Sequence, residues 1–361
     1  MGERKINVQL AKSGMQITQP IYDYGKTLLL PVKTVLTSKK IAQLKFCGID
    51  EIWIEDNGLI TEDIYQDIYM PKYIEEIKHT EEFVRFDRAH QKSVEEVKEA
   101  LNAAILNNQE IDVNNLLCEV DFILQGAQNG IHVFDMLQCI RVYDDSTYVH
   151  SVNVALICNV MGRWLHLKEE DIRILTLCGL LHDVGKLLMP PEIIKKAGKL
   201  THTEYETIKK HPLLGYSILE KENLDPRIKL AAYQHHEKCD GSGYPNGLLG
   251  HEIDSFAKIV TIADIYDAMT ANRVYREGLC PFDVIEIFEQ EGLRKYEPLY
   301  LLTFLQHIAE SYINKPVQLS NAQQGQVIML NQHVLSRPVV RVEEQYIDLS
   351  KTTELSIKKI L

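Results

Sequence analysis

The sequence predicts a mainly α-helical protein with a small β-rich module at its N-terminus and a short β appendage at its C-terminus. Apolar residues recur at helical spacing in the middle of the chain, as at Val94, Val97 and Leu101. The N-terminal end instead alternates, as at Ile6 and Val8, which is typical of a strand. The helical part is therefore expected to form the main core.

The chain of 361 residues is too long for one small core, and its patterns divide it into four segments. The first is the β-rich module, the second a helical connecting or regulatory region, the third a helical domain with the densest motifs and the fourth the β appendage. In chain order these segments are predicted at residues 1–56, 57–134, 135–315 and 316–361.

The C-terminal appendage is predicted from a change in residue pattern after residue 321. Val327 to Leu330 and Val339 to Val342 are short apolar runs that suit the two strands of a hairpin. Tyr346 to Leu349 is predicted as a third short strand. We therefore expect a small antiparallel sheet at this end of the chain.

The overall charge limits the classes of partner. Apolar residues make up 45% and charged residues 25% of the chain, which is ordinary for a globular protein. The formal net charge is −12, so the chain repels the phosphate backbone of nucleic acids at long range. An anionic substrate would need a local positive patch.

The cysteines and the apolar runs predict a cytoplasmic protein. The seven cysteines are scattered, odd in number and never spaced as C-x-x-C, so a disulfide framework is not expected. The start of the chain lacks the apolar run of a signal peptide. The longest purely apolar stretches are short, such as Leu28 to Leu30, which predicts no membrane-spanning segment.

Five of the thirteen histidines and two aspartates fall in a series of short motifs in the third segment. Imidazole and carboxylate ligands together suit iron, manganese or zinc, and the absence of thiolates from the set argues against a structural zinc site. Seven ligands are too many for one catalytic metal, but they suit two metals that share a carboxylate. In chain order they are His150, His182, Asp183, His211, His235, His236 and Asp264.

Each of these residues also has a structural interpretation. A lone histidine on an apolar helix, such as His150 or His211, is more often a hydrogen-bonded core residue than a ligand. The adjacent pair His182 and Asp183 is stronger, because the preceding apolar run from Ile174 to Leu181 would bury it and an unpaired buried carboxylate is costly. The ordered set as a whole favours metal binding.

Residues from about 140 to 315 resemble the HD-GYP family, a branch of the HD phosphohydrolases. The resemblance covers about half of the chain, and its motifs are specific in combination. They are His182-Asp183-Val184-Gly185-Lys186, His211-Pro212, His235-His236-Glu237, Asp240-Gly241-Ser242-Gly243-Tyr244-Pro245 and Ile262-Ala263-Asp264. The resemblance implies an HD-type helical bundle as the catalytic domain.

The resemblance also implies a cofactor of two divalent metal ions, iron or manganese. It assigns His150, His182, Asp183 and Asp264 to one metal. It assigns Asp183, His211, His235 and His236 to the other, so that Asp183 bridges. Some members hold a third metal with a glutamate where this chain has Ser146, a poor ligand. Two metals are therefore expected.

Four further positions match substrate contacts of the family. The resemblance places Lys186 near the scissile phosphate, Arg273 and Arg276 on the substrate phosphates and Tyr244 at the edge of the pocket. Lys186 and Asp183 are the expected catalytic residues. The alternatives are a surface lysine after a glycine turn for Lys186 and a solvated or salt-bridged helix face for the two arginines.

The motifs leave the roles of two acidic residues open. Asp267, three residues after Asp264, could orient a ligand, cap a helix or make a buried hydrogen bond. Glu237 has the same uncertainty between supporting the site and a purely structural role.

The function implied by the resemblance is metal-dependent hydrolysis of cyclic di-GMP to linear pGpG, with GMP as a further product left open. The metals would activate water near neutral pH. Two alternatives stay open: a cyclic-dinucleotide receptor or adaptor with little turnover, and an HD hydrolase of another cyclic dinucleotide such as cyclic GMP-AMP. The resemblance also suggests a GGDEF-type cyclase as a partner through the Gly-Tyr-Pro loop, and a homodimer is left open.

Overall fold

The computed structural model describes residues 2–8, 11, 14–22, 28–36, 40, 44, 51–56, 77–107, 109–125, 127, 130–140, 147–194, 196, 200–271 and 278–361. The chain divides into two compact units, Met1–Met70 and Pro71–Leu361. The early part of the predicted helical region, residues 57–76, lies outside the described residues.

The first unit contains short strands, as expected for the predicted β-rich module. Strand β1 (Gly2–Asn7) pairs antiparallel with β4 (Glu51–Asp56), and the short strands β2 (Ile21–Tyr22) and β3 (Leu28–Leu30) pair with each other. In the first pair Ile6 lies opposite Ile52, and both are buried. Apolar residues of alternate strand positions thus supply a small core of this unit.

The second unit is mainly helical, as predicted. It begins with the long helix α1 and continues through a series of shorter helices, with a 3₁₀ helix at Val184–Leu188. The α-helices are α1 (Glu81–Asn107), α2 (Val113–Gln125), α3 (Gly130–Ile140), α4 (Thr147–Trp164), α5 (Glu169–Leu181), α6 (Pro191–Ile194), α7 (His202–Ile208), α8 (His211–Leu219), α9 (Pro226–Gln234), α10 (Ser255–Thr270), α11 (Pro281–Lys295) and α12 (Pro298–Glu310).

Local sequence signals explain where several helices begin. The Thr80 hydroxyl accepts a hydrogen bond from the backbone N–H of Phe83 at the start of α1. Asp225 and Asp254 cap α9 and α10 in the same way, and α9 has Pro226 at its first position. These caps fix the directions of helices that carry the candidate site.

Helix α4 lies in the centre of the helical unit, because its residues from Ser151 to Gly162 are all buried. Helices α5 and α10 pack against α4. Helix α1, which belongs to the predicted connecting region, also contacts α4. On α1 the predicted apolar positions Val97 and Leu101 are buried in this core. A helix buried all round suits a bundle core.

The C-terminal appendage is a five-stranded antiparallel sheet. The three predicted strands are confirmed, and two further strands at the start and end of the segment were not predicted. The strands are β5 (Pro316–Leu319), β6 (Gln324–Met329), β7 (Val339–Val342), β8 (Gln345–Asp348) and β9 (Ile357–Ile360). They lie in the sheet in the order β8-β7-β6-β5-β9.

The sheet shares one hydrophobic core with the helices. Val317, Val340 and Ile357 belong to the same buried cluster as the helical core. Helix α11 also binds the segment between β6 and β7, since the Glu289 carboxylate accepts hydrogen bonds from the backbone N–H and the hydroxyl of Ser336. The fold class predicted from the sequence is therefore confirmed.

Within the described residues, we find no helix that is both long and apolar enough to cross a membrane.

Candidate metal centre

The seven side chains predicted as metal ligands come from five helical elements and converge in the helical unit. His150 lies in the first turn of α4, and Asp264 lies on α10. The others stand at helix ends: His182 caps the C-terminus of α5 and is followed by Asp183, His211 begins α8, and His235 caps the C-terminus of α9 and is followed by His236.

These side chains form two adjoining groups. Within each group, all the ligand atoms lie within 4.8 Å of one another. The first group is His150, His182 and Asp264, and the second is Asp183, His211, His235 and His236. The division matches the two ligand sets that the family resemblance implies, apart from Asp183, which stands in the second group only.

Asp183 nevertheless faces both groups. Its Oδ2 lies 3.4 Å from His182 Nε2 and 3.6 Å from His150 Nε2. Its Oδ1 lies 3.3 Å from Nε2 of His211 and 3.5 Å from that of His235. One carboxylate oxygen is thus directed at each histidine group, which is the arrangement that a bridging ligand requires.

Backbone carbonyls at helix ends orient three of the imidazoles. Nδ1 of His182 donates to the Gly179 carbonyl at 2.7 Å, and Nδ1 of His211 donates to the Ile208 carbonyl at 2.7 Å. His235 Nδ1 makes the same kind of bond near the end of α9. Each bond holds the proton on Nδ1 and leaves the Nε2 lone pair directed into the site.

His150 is oriented by a side chain instead. Its Nδ1 donates to Asp267 Oδ2 at 2.8 Å, and Asp267 is buried one turn beyond Asp264 on α10. Of the roles left open for Asp267, the structure therefore supports that of orienting a candidate ligand. His150 Nε2 faces Asp264 Oδ1 at 3.0 Å.

The residues present fit a pair of divalent metals. Among the described residues, His182 Nε2 and Asp183 Oδ1 are fully buried side-chain atoms without a hydrogen-bond partner. Buried polar atoms are rarely left unpaired. Two unpaired atoms within this cluster therefore indicate that both serve to bind a metal ion. Imidazole nitrogens and carboxylate oxygens at this spacing suit a divalent transition metal.

The carboxylates of the site are held ionised. Burial alone would raise the pKa of Asp183, but the ammonium of Lys186 and the imidazole of His182 outweigh it and hold the pKa well below its usual range. The pKa of Asp264 is likewise lowered against the effect of burial, chiefly by the hydrogen bond from His150. Both groups therefore carry the negative charge that a cation needs.

Two imidazoles of the second group, those of His235 and His236, are held neutral. Burial is the largest influence on His235 and lowers its pKa to about 4, and burial also lowers the pKa of His236 well below its usual range. His150 differs: burial lowers its pKa, but hydrogen bonds to Asp264 and Asp267 outweigh this and raise it to about 10. Neutral imidazoles have the free lone pair that metal binding needs.

A cavity of about 530 Å³ opens beside both groups. It is within the size range of small-molecule sites. Lys186, whose Nζ pairs with Asp183 Oδ2, and Lys238 bring positive charge to its wall. Tyr205 and Tyr244 add aromatic surface, and the Tyr244 ring packs 4.6 Å from that of His236. The cavity therefore combines cations and aromatic faces next to the candidate metal positions.

Glu237 fixes the loop that carries Tyr244. Its buried carboxylate accepts the backbone N–H groups of Asn246 and Leu248 at 2.7 Å and 2.9 Å. Gly243 lies so close to the preceding chain that an added Cβ would be 2.5 Å from the His236 carbonyl oxygen. The Gly-Tyr-Pro loop is thus held against the residues that follow α9.

Of the other residues predicted from the sequence, some line the cavity and some lie outside the described part of the chain. Lys186 and Tyr244 line the cavity, whereas Ser146, Arg273 and Arg276 lie outside the described residues. Sequence reasoning missed Tyr205 and Lys238 as lining residues. Tyr205 stands within the helix before His211, and no local pattern indicated that its ring would reach the site.

Residues 136–299 match the HD domain family. This segment is an HD domain. The match includes all seven side chains of the two groups and ends before the C-terminal sheet. The family resemblance seen in the sequence motifs is therefore confirmed.

Several curated relatives carry related names. The chain is similar to a cyclic di-GMP phosphodiesterase of Pseudomonas aeruginosa, with 31% identity over 65% of this chain and 56% of that protein. It is also similar to the cyclic di-GMP phosphodiesterase response regulator RpfG of Xanthomonas campestris pv. campestris, with 37% identity over 40% of this chain and 38% of that one. A 3'3'-cGAMP-specific phosphodiesterase of Vibrio cholerae is 39% identical over 40% of this chain and 34% of its own length. Each match thus spans less than two thirds of the relative.

A solved structure supports the fold. An HDG"Y"P protein from Bdellovibrio bacteriovorus matches with a TM-score of 0.50 and 18% identity, over 84% of this chain and 98% of that one. The likeness extends beyond the HD domain to most of the chain.

Proposed function

We propose that this chain is a metal-dependent phosphodiesterase that hydrolyses cyclic di-GMP to linear pGpG. The observation that carries the proposal is the position of Asp183, which directs one oxygen at each of two histidine groups inside an HD domain. Cyclic di-GMP phosphodiesterases among the relatives support the choice of substrate.

Two divalent ions, iron or manganese, are the proposed cofactor. His150, His182 and Asp264 would hold one ion, His211, His235 and His236 the other, and Asp183 both. When bound, the pair would supply Lewis-acid stabilisation of the phosphoryl oxygens and an activated water.

The chain's own residues bind and orient the substrate. The Lys186 ammonium stands at the cavity wall beside Asp183, where it can offset the negative charge that grows on the phosphoryl group and leaving oxygen. The ring of Tyr244 offers a face on which a base or ribose can pack. Arg273 and Arg276 are proposed to contact the substrate phosphates.

Cyclic GMP-AMP is the second candidate substrate. Relatives named 3'3'-cGAMP-specific phosphodiesterases match the chain at 39% and 34% identity. The two cyclic dinucleotides share the phosphodiester ring and differ in one purine, so the same metal centre suits both. The base contacts of the cavity would decide between them.

We further propose a cytoplasmic location, which fits the six described cysteines, all of them free thiols. A GGDEF-type cyclase that contacts the Gly-Tyr-Pro loop and a homodimer are the proposed protein partners. Co-purification with a cyclase and light scattering of the pure chain test these two points.

The function is tested by anaerobic purification, metal analysis and chromatography of products from cyclic di-GMP and 3'3'-cGAMP in parallel. The wild-type chain should hold two metals and release pGpG. Asp183→Ala should lose both turnover and bound metal. Asp135→Asn, which changes a buried carboxylate paired with Lys315 far along the chain, is the matched control and should keep both. Wild-type protein loaded with metal but inert on both nucleotides would refute the proposal.

A further inference from the structure

A buried histidine from outside the HD domain is linked to the metal centre by hydrogen bonds. His90 lies on α1, before the segment that matches the HD domain, and only 2% of its surface is exposed. Its Nε2 is 2.8 Å from Oδ1 of Asn153, a buried residue one turn after His150 on α4. The contact joins residues 63 positions apart.

The link continues from Asn153 to the centre itself. Asn153 Nδ2 donates to Asp267 Oδ1 at 3.2 Å, and Asp267 Oδ2 accepts from His150 Nδ1 at 2.8 Å. The four side chains therefore form one chain of three hydrogen bonds from α1 to a candidate metal ligand.

The chemistry of the groups fixes the direction of every bond. The ionised carboxylate of Asp267 only accepts, so Asn153 must present its amide N–H₂ to it. The Asn153 carbonyl then faces His90, which must donate from Nε2. At the far end Asp267 holds one proton of His150 on Nδ1, so that Nε2, which faces Asp264, is the atom that would give up its proton to bind a metal.

We propose that His90 and Asn153 are positioning residues of the metal centre, which act through Asp267 to hold His150 in the geometry of a ligand. The inference rests on the proposed metal site and extends it to α1. It assigns part of the predicted regulatory region a direct role in building the first ligand group, His150, His182 and Asp264.

Removal of the hydrogen-bond donor at His90 should weaken metal binding by the first ligand group specifically. Without it the Asn153 carbonyl is buried unpaired, and an amide that turns to find a partner withdraws its N–H₂ from Asp267. Hydrogen-bond partners of ligands typically change metal affinity 10–100-fold, so Asn153 and His90, which stand one and two bonds beyond Asp267, should act at the lower end, about 10-fold. The second group does not use this link and should keep its affinity.

Two substitutions at His90 separate hydrogen bonding from packing. His90→Phe keeps a ring beside Phe86, whose ring centroid is 6.4 Å away, but removes the donor. His90→Gln keeps a donor but removes the ring. If the link positions His150, the Phe variant loses affinity and the Gln variant keeps it. If His90 only fills space, the order is reversed.

The matched control lies on the same helix as Asn153. Asn159 is equally buried, but its amide bonds Thr176 and Arg163 instead of the metal centre. Asn153→Ala should therefore weaken binding at one site about 10-fold, as His90→Phe does. Asn159→Ala should leave both sites unchanged, although it removes the same group from the same helix.

The experiment is a titration of the full metal-free chain with Mn²⁺ alone, followed by electron paramagnetic resonance, with circular dichroism as the check on folding. We expect two sites in wild-type protein and one weakened site in His90→Phe and Asn153→Ala. Wild-type binding in both, or a loss in His90→Gln but not in His90→Phe, overturns the inference.

The design keeps this failure distinct from failure of the proposed activity. Protein that binds two Mn²⁺ ions but leaves cyclic di-GMP intact contradicts the activity, while the titrations still decide the role of His90. Protein that cleaves the nucleotide, with binding in His90→Phe unchanged, contradicts only the role of His90.

Discussion

Gly185→Ala should break the contact that places His211 in the metal centre. Gly185 lies in the 3₁₀ helix directly after Asp183, and this helix packs on the start of α8. An added Cβ at Gly185 would lie 2.0 Å from the His211 carbonyl oxygen and 2.5 Å from the Gly215 nitrogen. Both are backbone atoms, so no side-chain rotation relieves the clash.

The magnitude follows from this distance. Ordinary contact begins at 3.4 Å, so the two segments would have to separate by roughly 1.4 Å at the His211 carbonyl. Overpacking of this kind costs about 1–3 kcal/mol of the free energy of unfolding. A misplacement of about 1 Å in an active site can cost on the order of 100-fold in rate. Stability and turnover should therefore both fall.

Urea unfolding of the metal-free chain and Mn²⁺ titration measure the two effects separately. Gly215→Ala is the matched control on the facing side, because its added Cβ would find its nearest neighbours at 3.3 Å and 3.4 Å. It should change stability by no more than about 1 kcal/mol, with any gain reflecting the helix preference of alanine. Gly185→Ala protein that keeps wild-type stability and both Mn²⁺ ions would refute the close-packing argument.

Three other outcomes are expected. Glu237→Gln should speed amide exchange at Asn246 and Leu248, because one carboxylate oxygen that accepts an N–H is replaced by an N–H₂ donor; unchanged exchange would contradict the anchoring role. The Glu204 carboxyl should titrate near pH 2 in a carbon NMR experiment, since hydrogen bonds from Lys196 and from a backbone N–H lower its pKa to about 2. Its contribution to stability is therefore complete above the ordinary value of 4.5 and is lost as the pH falls through 2; a midpoint near 4.5 would refute this. Mn²⁺ at 100 times its dissociation constant should stabilise the fold by about 2.7 kcal/mol per site, read as a rise in melting temperature that EDTA reverses; no rise would count against metal binding.

The sequence sufficed for the helical core and for the choice of candidate ligands, because both have local signatures. Apolar spacing marks α1, and the short motifs name the side chains that converge. Strands β5 (Pro316–Leu319) and β9 (Ile357–Ile360) were missed, since the first begins with a proline and the second has two lysines between its apolar residues, so that neither shows a clear strand pattern. Their pairing is set by distant neighbours in the sheet.

The side chains that support the site were beyond prediction for a related reason. His90 and Asn153 meet only because α1 packs on α4, and Asn153 meets Asp267 across 114 positions. A polar residue in an apolar helix signals a buried hydrogen bond, but it does not name the partner. Glu237 could be suspected from its place beside two histidines, whereas its bonds to Asn246 and Leu248 could not.

The ligand imidazoles are oriented in two physically different ways. His182, His211 and His235 each donate Nδ1 to a backbone carbonyl in the last turn of a nearby helix. Local folding alone orients these three rings. His150 instead depends on Asp267, 117 positions away, and through it on α1. Changes in the N-terminal helical region should therefore reach the metal centre through His150 while the second ligand group stays intact. If His90 and Asn153 position His150 as proposed, a structural change in α1 would alter one metal site and leave the other unchanged.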